Sequence, residues 1–224
     1  MATNITEFSK RVQPDVIGCP KQVVDNAVID AIIKFCEDTH VMEKAFEHDV
    51  VTADIIAADN DSVNVNMETY LAVAPATMTV RALVVTEFRI DGSLWETSYI
   101  DLENAMGDIA DISVVGTKFF TYPDMTHIKF YDITAQDQRF YIKQAYAPLP
   151  SITTVDDDFY YRWHKGIEAQ AKWELMSMPK KDWSNAALAI YNLNQYNGWV
   201  ASAKIKKDQG YTKGSMRVKS TRWF

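Results

Sequence analysis

The apolar positions of the chain follow a helical period towards both ends and an alternating period between them. In the first helical segment, apolar pairs recur every four residues from Val23 to Cys36. Residues three and four apart share one face of a helix, so the pattern predicts a helix from Lys21 to about Lys44 with a broad buried face. On that face Cys36 would be a small buried hydrophobe rather than a reactive thiol.

A second helical stripe follows three consecutive aspartates at residues 156–158. Its apolar positions recur every three or four residues between Tyr160 and Met178, so one face of this helix needs apolar cover. Negative charge at a helix start complements the helix dipole, and an aspartate side chain can cap the first backbone amides. We therefore predict that the aspartates begin the helix, with a divalent-ion site as the alternative.

The second helix is followed by a predicted turn and a third helix. Pro179 cannot continue a helix, because proline has no amide hydrogen and its ring clashes with the preceding turn. Asp182 or Ser184 then offers a side-chain oxygen to cap a new helix from about Asn185 to Lys206. The two C-terminal helices are therefore expected to form a helical hairpin.

The middle of the chain has the polar-apolar alternation that is typical of half-buried strands. Asp91-Gly92 lies between two such runs and predicts a tight hairpin, because both residues tolerate a positive φ. Closely spaced short strands predict an antiparallel sheet or a small barrel, and residues 101–106 predict one helical turn. The predicted strands lie in residues 63–67, 81–90, 112–123, 127–134 and 139–148.

Together these patterns predict an α+β fold: a helical bundle with an inserted antiparallel β-sheet or small β-barrel region and an extended C-terminal arm. Residues 15–46 and 157–206 should pack as one bundle from which the β region projects, because each striped helix needs apolar cover. The predicted segments are an N-terminal segment with the first bundle helix (1–46), a β-rich insertion (47–150), a helical hairpin that completes the bundle (151–206) and a docking arm (207–224).

The charge of the chain is unevenly distributed around its net value of −7. Residues 47–160 hold 19 acidic and 6 basic residues, whereas residues 204–224 hold 1 acidic and 7 basic residues. Attraction to DNA phosphates needs clustered cations, so the acidic middle region is unsuited to gripping DNA. The basic end would meet either nucleic acid or an acidic protein surface.

No motif for catalysis, cofactor binding or metal binding stands out in the sequence. The four histidines lack metal-ligand spacing, and His40 with Glu43 and Glu47 reads as a solvated helix face. The two cysteines form neither a disulfide framework nor a metal motif, which favours a reducing compartment. Any catalysis would have to be carried by residues assembled in space, which the sequence does not show. We therefore expect no catalytic residues, no cofactor, no metal and no membrane partner; no apolar run is long enough for a membrane span.

Aromatic side chains crowd the predicted C-terminal hairpin beyond the needs of a two-helix core. Trp and Tyr are common anchors of protein interfaces, so some of these side chains are expected to bind another chain. A homo-oligomer is the natural hypothesis. The aromatic residues concerned are Trp163, Trp173, Trp183, Tyr191, Tyr196 and Trp199.

Three stretches of sequence occur in an order that is similar to a known family. They are CPKQVVDNAVIDAIIKFCEDTHVM, the DG hairpin of RALVVTEFRIDGSLW, and the block from Ala171 to Phe224. This order resembles the head-to-tail adaptor, or connector, proteins of tailed bacteriophages, which lie directly beneath the portal. In that family an MP-x-K-x-W-x-N turn joins the C-terminal helices, and an Arg-x-aromatic terminus closes the chain. The matching turn residues here are Met178, Pro179, Lys181, Trp183 and Asn185.

The resemblance implies a structural virion protein without enzyme activity, made in the cytoplasm of the host bacterium and located at the neck between head and tail. It implies a dodecameric ring that binds the portal protein and a downstream tail or nozzle protein and that contacts genomic DNA transiently in a channel. It also implies that the C-terminal arm docks on the portal. The expected docking residues are Tyr211, Met216, Arg217, Val218, Lys219, Arg222, Trp223 and Phe224.

Three further expectations concern the arm and the alternatives to an adaptor. The arm from Tyr211 onward should be disordered in the free subunit, because Gly210 and Gly214 interrupt any helix and the apolar residues lack local partners. The alternative function is a DNA-binding accessory factor that uses the basic tail on phosphates. A tail-associated lysin would need a carboxylate pair that the sequence does not reveal. The basic residues of the tail are Lys204, Lys206, Lys207, Lys213, Arg217, Lys219 and Arg222.

Overall fold

The computed structural model of the chain confirms the predicted α+β class. The structure describes residues 2–49, 63–66, 80–90, 93–94, 98–99, 119–121, 127–131 and 139–208. Its helices are α1 (Thr6–Val12), a 3₁₀ turn (Gln13–Asp15), α2 (Lys21–Thr39), α3 (Asp157–Ser177) and α4 (Ala186–Asp208).

The first predicted helix ends earlier than its apolar pattern indicated. Helix α2 stops at Thr39, because His40 adopts a left-handed conformation with φ 51° and donates its backbone N–H to the Cys36 carbonyl oxygen at 2.8 Å. The chain then continues as strand β2 (Glu43–Asp49). The predicted extension of the helix to Lys44 is therefore wrong, and Glu43 and Glu47 lie on a strand instead of a helix face.

Helix α3 begins where the aspartates predicted it. The Asp156 carboxylate accepts a hydrogen bond from the Asp158 backbone N–H at 3.1 Å, so Asp156 caps the helix. Strand β10 (Thr154–Asp156) leads directly into α3 and pairs with the N-terminal strand β1 (Ala2–Asn4). Thr3 adds a hydrogen bond from its hydroxyl to the Asp157 carboxylate at 2.5 Å. The first strand of the chain is thereby attached to the start of α3.

One four-stranded sheet has the strand order β2, β9 (Arg139–Pro148), β4 (Val80–Ile90) and β5 (Ser93–Leu94). All of its pairs are antiparallel, and β9 coincides with the predicted strand at 139–148. Ile90 pairs with Ser93, which confirms the predicted hairpin, since only Asp91 and Gly92 separate them in the sequence. Residues 101–106, the predicted helical turn, lie outside the described residues.

A second sheet has the order β3 (Val63–Asn66), β8 (His127–Tyr131), β7 (Phe119–Thr121) and β6 (Ser98–Tyr99). Strands β6 and β7 run parallel, whereas the other two pairs are antiparallel. The described strands of the insertion therefore belong to two sheets, and the antiparallel prediction fails for this one pair.

The hydrophobic core joins the three long helices around Phe35 of α2, which is fully buried. The Phe35 ring lies 5.6 Å from the Trp163 ring of α3 and 6.2 Å from the Tyr196 ring of α4, measured between centroids. Aromatic rings at these distances attract each other in addition to the apolar area that they bury. The predicted helical bundle is confirmed, because α2 contacts both other long helices and not the sheet alone.

Helix α1 was not predicted, although its apolar residues carry a helical spacing. Ile5, Phe8 and Val12 are buried, and the Phe8 ring meets the Tyr160 ring of α3 edge-on at 4.8 Å. The segment has only 7 residues, which is too short for periodicity to separate a helix from a loop. Packing on α3 stabilises it, as expected for a helix too short to form alone.

Candidate functional site

The turn between α3 and α4 holds the residues that the adaptor resemblance singled out. The Met178 backbone N–H donates to the Leu175 carbonyl oxygen at 3.3 Å and ends α3. Pro179 follows on the exposed surface, and Lys180 turns the chain with a left-handed φ of 61°. The structure thus brings Met178 and Pro179 together with the rest of the predicted turn.

The start of α4 is capped by Asn185 and not by either of the two residues expected from the sequence. The Asn185 side-chain oxygen accepts from the Leu188 backbone N–H at 3.1 Å, while the Asn185 N–H donates to the Met176 carbonyl oxygen at 3.0 Å. Ser184 acts inside the turn, where its hydroxyl oxygen accepts from the Lys181 N–H at 3.2 Å and the hydroxyl donates to the Met178 carbonyl oxygen. Because the helix begins at Ala186, Asp182 lies too far from the first free amides.

Trp183 covers the corner of the helical hairpin. Its ring is partly buried against the core, and the Lys181 ammonium lies 5.8 Å from the ring centroid. A cation at this distance over an indole face is attracted by the ring quadrupole. The structure therefore supports a positioning role for Trp183 in the turn, with part of the ring left accessible.

The far end of α4 is held by a cluster of charges that sequence analysis did not identify. The Glu43 carboxylate, 12% exposed, lies 2.6 Å from the Lys143 ammonium of β9 and 3.0 Å from the Lys207 ammonium of α4. Lys207 is itself only 21% exposed, so water screens this pair weakly. Glu43, Lys143 and Lys207 are far apart in the chain, so no local sequence pattern could have revealed this cluster.

Two more contacts orient α4, one at its middle and one at its C-terminal end. The Tyr196 hydroxyl donates to the Asp38 carboxylate at 2.5 Å, and the Lys206 ammonium lies 5.1 Å from the centroid of the Trp163 ring. Burial and the bond to Asp38 raise the pKa of Tyr196. Burial, and then the ammonium of Lys207, lower the pKa of His40, which therefore favours the neutral form next to this basic helix end. The start of the C-terminal arm is thus held by Trp163 of α3 and Glu43 of β2.

The predicted docking arm itself lies outside the described residues, which end at Asp208. This applies to the expected disorder of the free arm and to all eight predicted docking residues. These residues are Tyr211, Met216, Arg217, Val218, Lys219, Arg222, Trp223 and Phe224.

Helix α4 also exposes four large apolar side chains. Tyr191 is 58% exposed, Ile190 62%, Ile205 51% and Leu188 46%. Between Ala186 and Ala203 the helix carries no Asp, Glu, Lys or Arg. An exposed helical face normally carries charged residues, so an uncharged one indicates a contact surface.

In the part of the chain that the structure describes, no constellation suited to catalysis is apparent. No group of three or more His, Cys, Asp or Glu side chains is arranged to hold a metal ion there. The Cys36 thiol is fully buried, and burial raises its pKa far above the usual range, so the reactive thiolate is disfavoured. No helix among the described residues is both long and apolar enough to cross a membrane.

Comparison with known proteins adds no relative. No protein-family model matches the chain, and no curated protein is similar enough to be identified as related. The adaptor family therefore remains a prediction from the sequence.

Proposed function

We propose that this protein is a structural virion component, a head-to-tail adaptor that binds beneath the portal as a ring and links the capsid to the tail. The observation that carries the proposal is the construction of the C-terminal end of α4. Contacts from Glu43 and Trp163 hold that end in place, and an arm rich in aromatic and basic residues follows it directly. A helix end that is held by side-chain contacts, followed by an arm of aromatic and basic residues, suits a protein that must attach to a large assembly.

The arm combines the residue types that anchor one protein on another. Trp223 and Phe224 supply apolar area, while Arg217 and Arg222 can form paired hydrogen bonds with carboxylates. Ordering a residue costs about 1–2 kcal/mol of backbone entropy, so charge alone would not offset the cost of docking such an arm. The proposed partners are the portal protein, further copies of this chain in a dodecameric ring, and a downstream tail or nozzle protein.

The acidic middle region supports the same proposal. With 19 acidic and 6 basic residues, residues 47–160 repel the phosphates of DNA. Such a surface suits a channel or collar past which a genome moves without being held. Contact with genomic DNA would then be transient and independent of base sequence.

The decisive experiment removes the arm. We expect a chain truncated after Gly210 to keep its helical circular dichroism, since the described core lies before that residue, but to lose binding to purified portal protein. Heads assembled with the truncated chain should leak DNA. Normal portal binding by the truncated chain would refute the docking role of the arm.

A matched pair of variants separates the adaptor from the DNA-binding alternative, which the basic tail favours. Replacing Trp223 and Phe224 by alanine should abolish portal binding, whereas replacing Lys213 and Lys219 by glutamine should reduce it modestly. If the arm instead binds DNA phosphates, the glutamine variant should show the larger loss, with an affinity that falls steeply with salt concentration. That outcome would favour the DNA-binding factor.

A further inference from the structure

One carboxylate joins the base of the C-terminal arm to the strand that leads into the insertion. Glu43 is the first residue of β2. Its carboxylate lies 3.0 Å from the ammonium of Lys207, the first residue of the predicted arm segment, and 2.6 Å from the ammonium of Lys143 on β9. Glu43 therefore binds a cation from the end of α4 and a cation from the sheet at the same time.

The register of β2 and β9 explains why Glu43 and Lys143 lie together. Glu43 is opposite Ala145, and Ala45 is opposite Lys143, so Glu43 and Lys143 are diagonal neighbours on one face of the sheet. Long side chains at such diagonal positions can reach each other. Lys207 reaches the same carboxylate from the last turn of α4. The sheet thus presents Glu43 to the end of the helix.

The ion pair with Glu43 is the better shielded of the two contacts at the end of α4. The Lys207 side chain is 21% exposed and the Glu43 side chain 12%, so water and salt screen this pair weakly. Lys206, whose ammonium lies over the Trp163 ring, is an exposed residue, and exposure weakens a cation–π contact. Of the two contacts, the one with Glu43 should therefore hold the last turn more firmly.

We propose that Glu43 is a positioning residue for the docking arm: its carboxylate holds the last turn of α4 beside β2 and so sets where the arm starts relative to the insertion. An arm with a fixed start has fewer backbone residues to order when it binds a partner. Each additional residue that must be ordered weakens binding by about 5- to 30-fold. The hold on the last turn is a property of the free subunit, whereas its effect on portal binding rests on the proposed function.

Hydrogen exchange of the free full chain tests the hold on the last turn. Glu43→Gln keeps the size of the side chain but leaves Lys143 and Lys207 as like charges at one site. We expect the amides of residues 203–208 to exchange about tenfold faster, because a charged contact of the last turn is lost. Exchange at residues 186–196 should not change. Lys207→Gln, which keeps the pair between Glu43 and Lys143, should give the same local effect.

Glu47→Gln is the matched control, because it makes the same substitution further along β2. Glu47 is an exposed residue, and its carboxylate lies 3.3 Å from the Arg139 guanidinium of β9. This variant should leave exchange at residues 203–208 unchanged. Equal acceleration by Glu43→Gln and Glu47→Gln would show that the sheet loosens as a whole, and the positioning role would be wrong. An unchanged last turn in Glu43→Gln would refute it as well.

A reversal of charges separates positioning from a general loss of stability. The double variant Glu43→Lys with Lys207→Glu again supplies one carboxylate and two ammonium groups, one of them from Lys143. It should restore slow exchange at residues 203–208, whereas Glu43→Lys alone should leave exchange fast. If the double variant exchanges as fast as the single variant, the charges do not position the helix end.

Binding to purified portal protein tests the consequence for docking. Glu43→Gln should bind about 5- to 30-fold more weakly than the unchanged chain, while Glu47→Gln should bind normally. If Glu43→Gln frees the last turn but binds portal normally, the arm does not need a fixed start and Glu43 has no role in docking. Truncation after Gly210 tests separately whether the arm docks at all, so a failure of the proposed function is distinguishable from a failure of this inference.

Discussion

Gly166 shows how one residue determines the distance between two helices. A Cβ atom at this position would lie 2.9 Å from the Trp199 Cβ and 3.2 Å from a ring carbon of Phe35. The Trp199 Cβ is bonded to its backbone and cannot rotate away, so the helices must separate. We expect Gly166→Ala to lower the free energy of unfolding by about 1–3 kcal/mol, measured by urea denaturation.

Gly198 provides the control for this prediction on the adjoining helix. Nothing lies within 4 Å of a Cβ atom built there, so Gly198→Ala should raise the free energy of unfolding by about 0.5–1 kcal/mol in dilute protein. Equal effects of the two substitutions would show that helix propensity, and not the contact between α3 and α4, decides both.

Trp183 is the third residue whose effect the structure defines. A fully buried tryptophan would cost about 3–5 kcal/mol on replacement by alanine. Because the Trp183 ring is only partly buried, we expect Trp183→Ala to cost about 1–3 kcal/mol, read from thermal unfolding. An unchanged melting temperature would mean that the ring serves an interface and contributes nothing to the turn.

At the scale of elements, the start of α4 depends on one side chain. Asn185→Ala removes the oxygen that accepts from the Leu188 N–H, and loss of such a cap costs about 0.5–2 kcal/mol. The expected result is a lower melting temperature with unchanged helical circular dichroism at room temperature. Asp182→Ala is the matched control, and it should change stability by less than about 0.5 kcal/mol. A larger effect of Asp182→Ala would assign the cap to that residue.

At the scale of the whole molecule, the described helical core lies mostly outside the insertion. Among the described residues, every member of the buried core cluster lies before residue 43 or after residue 146, and Val80 and Leu83 of β4 pack against it. Asp49 of β2 pairs with Arg139 of β9, so a two-residue Asn-Gly turn could join these strands directly. We expect a chain in which Asn-Gly replaces residues 50–138 to remain helical and to unfold cooperatively.

Its stability should be lower than that of the full chain, because β9 loses its second neighbour β4. The measurement is thermal unfolding followed at helical and aromatic wavelengths. A gradual transition without tertiary signal would show that the bundle needs the insertion in order to fold.

The sequence by itself determined the elements whose cause is local. Apolar periodicity located the three long helices, Asp156 and its neighbours marked the start of α3, and the Asp-Gly pair marked the hairpin before β5. Each signal depends on residues within about one or two turns of chain, where the backbone geometry fixes which side chains meet.

Only the tertiary structure decided the features whose causes are distant in the chain. The apolar stripe of α2 runs on towards Lys44, yet pairing with β9 draws residues 43–49 into a strand. Glu43 then forms an ion pair with Lys207 at the end of α4, and Gly166 packs against Trp199, although the two residues of each pair are widely separated in the sequence. Apolar periodicity predicts which face of a helix is buried but not which element packs against it. The reason is that the free energy of burial depends on the apolar area removed from water and not on the order of elements in the chain.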